Sequence, residues 1–355
     1  MEIQGDINNI LRDIKIIEKK MSETNKIDKK IEFLNELKAL CNLYIKINGV
    51  DEVVLDNVPI TKFQLSKAPE YMNRNNRLFY NNFIDNIDFH TEFADIITSE
   101  IEKLIYNFKF LERTKTKTKD EQKIKIISKF YDEYDDIGTD ILLELLRKKR
   151  VYKIDKNNGI ADGYTVMLPT KKRSFIVINK DDKDYVYEMI NLVHELGHMI
   201  DFEYLSKYGS RRIYDYYNLS IFTETLPYYY QVEFLNYLID NKLNTNNSKY
   251  YYQNLYDTID SFGNNLLFIS EFIKDNKELK NIDELFNSVN YFYGQMLGIY
   301  LSNLRKNDLD KYRYIFNKFM KERTDIFDKK QFELISFNHY TCLNALKNEA
   351  KILTK

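Results

Sequence analysis

Glycine and proline are scarce in this chain, at 10 and 4 of 355 residues. A sandwich or barrel of many short strands draws on both residue types at its turns, so the scarcity disfavours such folds and favours long helices. The rest of the sequence agrees. Ile3, Ile7, Ile10, Leu11, Ile14 and Ile17 fall at helical spacing near the start. A second helical pattern runs from about Asp28 to Ile47 and stops at Asn48-Gly49. Two more are expected between about Ala68 and Leu111, and another from about Glu121 to Arg150, with Gly138 as the point that kinks or divides it. VDEVVLDNVPI reads as a loop with a short extended piece, and TKTKTKDE (114–121) as a polar linker. The latter divides an N-terminal helical region, 1–119, from a second region, 120–355, although one continuous domain is also open.

The texture changes between Val151 and Asp182, where glycines and Pro169 separate short runs such as Tyr164–Leu168 and Phe175–Ile178. Their alternation and β-branched content read as strands of one small sheet. Helices resume from about Lys183 and continue nearly to the end. The expected class is therefore mainly α, with a single small β-element.

Composition excludes several roles. Basic residues number 53 and acidic residues 54, a formal net charge of −1. A nucleic-acid or membrane-surface protein usually carries a basic excess, so neither partner is expected. No run of about 18 apolar residues suits a membrane span, and the charged opening MEIQGDINNILRDIKIIEKKM does not suit a signal peptide. Cys41 and Cys342 match no metal-ligand spacing and lie far apart in sequence. A reducing, cytoplasmic setting is the expectation.

The chemistry is concentrated in one pentapeptide. Of 4 histidines, two stand in His194-Glu195-Leu196-Gly197-His198, within the proline-free, helix-periodic stretch YVYEMINLVHELGHMIDFEYL. Histidines four apart on a helix share a face one turn apart, so both imidazoles can reach one metal ion. Glu195 projects beside that ion and can act as a base on water there without being a ligand. A hydrolytic zinc site needs a third protein ligand and an open position. Asp201, Glu203, Glu224 and Glu233 are the downstream carboxylates. Asp201 shares the His198 face and suits support of a ligand better than coordination. Glu203 points away from that face. Glu224 begins another apolar-periodic helix that a helix–loop–helix return can bring back over the first, and it is the preferred third ligand.

HELGH followed by ETLPYYYQVEF resembles the catalytic core of the oligopeptidase family of zinc metallopeptidases, family M3, which includes oligoendopeptidase F and thimet oligopeptidase. Upstream, DGYTVMLPTKKRSFIVIN is similar to the strands that precede the metal helix in that family. Downstream, VNYFYGQMLGIYL is similar to its Tyr-rich helix. The resemblance implies a zincin-like (gluzincin) helical metallopeptidase with the small sheet next to the HExxH helix, and one Zn2+ per chain. It also carries over Tyr293 and Tyr291 as candidate donors to the reaction oxyanion, Tyr293 with the edge because Gly294 follows it. The chain is shorter than typical members, and NIDELFNSVNYFYG lacks the histidine that usually precedes the family's tyrosine.

The expected activity is hydrolysis of oligopeptide bonds, with Glu195 as general base. Its rivals are a zinc-dependent peptide-binding module without turnover, and an exported protease acting on folded proteins. An extended peptide can add a strand to a sheet edge. Ser174, Phe175, Ile176 and Val177, in the strand just before the metal helix, are the expected edge, and His339 is a further candidate for substrate binding. His90 reads as a structural histidine. Gly159 and Gly163 read as turn residues, and Arg211-Arg212 as a solvated loop.

Overall fold

A computed structural model gives the fold, describing residues 3–55, 58–61, 72–105, 118–155, 163–168, 173–180, 185–208, 222–241, 248–274, 282–322 and 329–351. Among these residues the chain is mainly helical, with one small three-stranded sheet and a separate hairpin. It forms two compact units: residues 1–73 with 115–199, and residues 74–114 with 200–355.

In the first unit, α1 (Ile7–Glu23) starts at Asp6, whose carboxylate accepts the Asn8 N–H at 3.0 Å. Helix α2 (Ile27–Asn48) ends where Asn48-Gly49 predicts. Gly49 has φ 64°, the left-handed conformation glycine adopts without strain, and its N–H reaches the Ile45 carbonyl. The segment expected as a loop with an extended piece is an antiparallel hairpin, β1 (Glu52–Leu55) with β2 (Val58–Thr61).

Helices α5 (Asp120–Tyr134) and α6 (Asp136–Arg147) correct the expected break at Gly138. The chain breaks at Asp135, extended at φ −167° and ψ 101°, whose side chain caps the Ile137 N–H at 3.2 Å. Gly138 serves a close approach instead: a Cβ there would stand 2.1 Å from the Tyr131 ring. In the proposed linker, residues 114–117 lie outside the described residues, and α5 begins within it at Asp120.

The sheet has order β3-β5-β4. Strand β5 (Arg173–Lys180) pairs in parallel with β3 (Val151–Asp155), Ile176 opposite Val151. It pairs antiparallel with β4 (Gly163–Leu168), Ile176 opposite Thr165. The expected strands at Tyr164–Leu168 and Phe175–Ile178 are therefore present, but the edge expectation for Ser174–Val177 is corrected. That strand is central: β4 pairs along all four residues, β3 pairs from Ile176 onward, and all four are buried. Its inner face joins Ile10, Ile14, Ile17, Leu37, Leu40 and Cys41 in one apolar cluster. Helix α7 (Tyr185–Tyr208) follows the sheet, and the division between the units falls within it, after Met199.

Among the described residues the second unit contains only helices, beginning with most of α3 (Met72–Asp85) and with α4 (Ile87–Ile105). At its centre is α8 (Thr225–Asp240), buried at nearly every position. TLPYYYQVEFLNYL has no polar face to offer water, and such a helix belongs inside. Pro227 sits in its first turn, where a missing N–H costs nothing. Helix α10 (Ile282–Asn307) packs on α8, alongside α9 (Ser248–Lys274) and α13 (His339–Ala350). Helices α11 (Leu309–Glu322) and α12 (Lys329–Leu334) complete the unit. No helix among the described residues is long and apolar enough to cross a membrane.

Candidate active site

Helix α7 carries HELGH without interruption, so His194 and His198 stand one turn apart with ring centroids 5.3 Å from each other. Both are partly buried, while Glu195 is only 4% exposed. A carboxylate buried that deeply needs polar company. Part of it comes from β4: the Thr165 hydroxyl donates to Glu195 Oε2 at 2.8 Å and lies 3.2 Å from the Glu195 carbonyl oxygen. Two residues earlier on the same strand face, Gly163 leaves room for the other carboxylate oxygen. A Cβ there would stand 3.0 Å from Glu195 Oε1 and 3.0 Å from the Val177 carbonyl. Between them on the opposite face is Tyr164, whose phenol burial, and then the nearby Glu195 charge, pushes well above its ordinary range.

Glu224 is set by different means. It occupies the N-cap of α8 and is buried. Gly294 of α10 abuts its backbone: a Cβ at Gly294 would fall 2.4 Å from Glu224 Cβ and 2.9 Å from its carbonyl carbon. Four residues on, a Cβ at Gly298 would fall 2.7 Å from the Tyr229 backbone nitrogen. Asn290, one turn before Gly294, donates to the Thr223 hydroxyl at 2.6 Å. Thus Asn290, Gly294 and Gly298 form a stripe on α10 that fixes the first turn of α8. His194, His198 and Glu224 each offer one ligand atom, and these atoms all lie within 4.8 Å of one another.

The other candidates are placed as follows. Asp201 is fully buried on α7 and Glu203 is exposed. Glu233 is buried, held up to about 7 by desolvation against the Ser302 hydrogen bond and the charges of Arg305 and Lys306. Tyr291 is 37% exposed, its ring edge-on to Tyr228 at 6.3 Å. Tyr293 is buried among Phe93, Phe292 and Phe332, and its hydroxyl lies 2.7 Å from His90 Nδ1. His90 is stacked on Phe83 at 4.5 Å and pushed down to about 3, first by burial and then by Lys329, so it is neutral. His339 opens α13, with Asn338 as its N-cap. Gly159 and Arg211-Arg212 lie outside the described residues.

Sequence reasoning missed Thr165, Asn290 and the packing role of Gly294. Two signals were present: the Gly-x-Thr alternation in GYT, and the glycines four apart in YGQMLGIY. Each gains its meaning from a partner distant in sequence.

The sequence matches no protein-family model and no curated protein. Among solved structures, a candidate peptidase from Chlamydophila abortus matches with a TM-score of 0.54 at 13% identity, over 92% of this chain and 61% of that one. A candidate oligoendopeptidase F from Bacillus anthracis str. Ames matches with a TM-score of 0.47 at 12% identity, over 91% and 62%. PZ peptidase A, solved with an inhibitor, matches with a TM-score of 0.47 at 12% identity, over 92% and 66%. The chain thus spans less than two thirds of the length of these proteins. The first likeness shows a shared fold.

Proposed function

We propose that this chain is a zinc metallopeptidase that hydrolyses oligopeptides, similar to the oligopeptidase family M3. The observation that carries the reading is the approach of His194, His198 and Glu224 donor atoms within 4.8 Å, beside the buried Glu195. Two imidazoles and one carboxylate suit zinc, and the separation is small enough for modest side-chain rotations to bring all three to one ion. Asp201, fully buried one turn beyond His198, supports that ligand. When bound, zinc lowers the pKa of water from about 16 towards about 7 and polarises a carbonyl.

The remaining steps belong to the chain. Glu195 takes a proton from water, and the resulting hydroxide joins the peptide carbonyl carbon. As the C–N bond breaks, Glu195 returns the proton to the leaving amine nitrogen. Of the two tyrosines, Tyr291 has exposed surface with which to meet the developing oxyanion, whereas the Tyr293 hydroxyl is engaged by His90. Strand β4 pairs only with β5 among the described residues, so its outer edge suits a substrate backbone in extended form. A cytoplasmic setting belongs to the same reading, in keeping with Cys41 and Cys342, both free and buried.

The test is zinc analysis with peptide cleavage. One zinc per chain is expected, activity is lost to a chelator, and Glu195→Gln lowers kcat about a thousand-fold with zinc retained. A Glu195→Gln protein that cleaves at the parental rate, or a parent that binds peptides without cleaving them, overturns the reading.

A further inference from the structure

We infer that Thr165, with Gly163, is a positioning pair that orients the Glu195 carboxylate. The inference rests on the reading of Glu195 as the base. Glu195 leaves a helix in the middle of its length, and a glutamate has three rotatable side-chain bonds. Helix geometry alone therefore does not fix its carboxylate. Strand β4 supplies the constraint from across the sheet–helix interface, because Gly163 and Thr165 share one face of the strand. The Thr165 hydroxyl lies 2.8 Å from Oε2 and carries a single hydrogen to donate, and the charged carboxylate oxygen is both nearer and stronger as an acceptor than the Glu195 carbonyl at 3.2 Å. The other oxygen, Oε1, lies beside Gly163, where even a methyl group would come within 3.0 Å. One residue thus holds an oxygen in place and the other keeps space for its twin.

β-Branching at position 165 also suits the strand, so the hydroxyl can be removed without losing shape. Thr165→Val is the informative substitution, and Thr165→Ser restores the donor on a smaller side chain. For the zinc-loaded full chain acting on a quenched peptide, Thr165→Val is expected to lower kcat about ten-fold with KM within about two-fold of the parent, while Thr165→Ser stays within about three-fold in kcat. Zinc content and thermal midpoint are expected to be unchanged in both. Crystal structures of the two variants give a second readout that needs no turnover. The Glu195 carboxylate is expected to leave its place beside β4 in the Val variant and keep it in the Ser variant. A Val variant with parental kcat, a Ser variant as slow as the Val variant, or a carboxylate in the same place in both structures overturns the inference. Should the parent cleave no peptide, the functional reading fails, and the crystallographic comparison still decides whether Thr165 positions Glu195.

Discussion

The two units differ in how they hold several of their buried polar groups. The first unit keeps charges and pairs them. Arg150 and Asp13 are 3% and 0% exposed on their side chains and meet at 2.9 Å, with the guanidinium 4.5 Å over the Phe175 ring. Nearby, Lys123 bonds Glu188, and Lys153 contacts both Glu188 at 3.1 Å and Asp120 at 2.5 Å. The second unit favours neutral forms. His90 is uncharged, Tyr229, Tyr230 and Tyr293 are fully buried phenols, and Glu233 is held protonated to near neutral pH. Its ion pairs include the partly exposed Lys306–Glu349 at 2.9 Å and Lys347–Glu100 at 2.8 Å. The reason lies in the elements. Strands and helices of the first unit bring long side chains of opposite sign to shared positions, whereas the described helices of the second unit fill its interior with aromatic rings.

Breaking one of the paired charges has the largest expected effect. Arg150→Met leaves Asp13 buried without its guanidinium and is expected to destabilise the chain by about 3–5 kcal/mol in denaturant titration. Pairing Arg150→Met with Asp13→Leu should recover most of that loss, because an apolar pair of similar volume removes the uncompensated charge. A double variant as unstable as the single one would mean that shape, and not charge pairing, matters at this position.

The pH dependence sharpens the same contrast, because the two units are expected to respond with opposite sign. In the first unit, burial pushes the Asp120 carboxyl up, but the Lys153 hydrogen bond and charge, with the Ile3 N–H and Lys123, hold it below its ordinary 3.8. Its contribution is present above that value and is lost as pH falls through the lower folded-state pKa. Glu233 runs the other way. Its ordinary pKa is 4.5 and burial raises it to about 7 against the pull of Ser302, Arg305 and Lys306, with Glu349 adding to the rise. The folded chain keeps the Glu233 proton while the unfolded chain loses it. Stability from this residue is complete below pH 4.5, falls between 4.5 and about 7, and is level above, a total of about 3 kcal/mol. Glu233→Gln should flatten that interval of the stability curve. A curve with the parental slope between those limits would assign the dependence to other groups.

Much of this architecture is legible in the sequence because it is local. Asn48-Gly49 stops α2, the alternating runs form β4 and β5, and the four-residue spacing puts His194 and His198 on one face. The features that escape notice are those set by partners far away. Gly138 looks like a helix breaker but answers to the Tyr131 ring, while the break itself falls at Asp135. Strand β5 looks like an edge because β3, its parallel neighbour, is separated from it by β4 in sequence. Likewise, nothing near Thr165 announces that its hydroxyl meets a glutamate 30 residues on.

The smallest expected effect separates a core tyrosine from a reactive one. The family resemblance favours Tyr293 over Tyr291 because Gly294 follows it, yet the structure gives that glycine a packing reason of its own against Glu224. Tyr293 is enclosed by Phe93, Phe292 and Phe332 and shares a 2.7 Å hydrogen bond with the neutral His90. Tyr293→Phe keeps the ring and removes one buried hydrogen bond, leaving His90 Nδ1 without that partner, so a loss of about 1 kcal/mol in stability is expected with kcat within about two-fold of the parent. Because both the ring packing and the α10 backbone are preserved, a large fall in kcat without loss of stability could not come from the core. That outcome would return Tyr293 to the reaction and would show that the aromatic interior of the second unit does chemical work as well as packing.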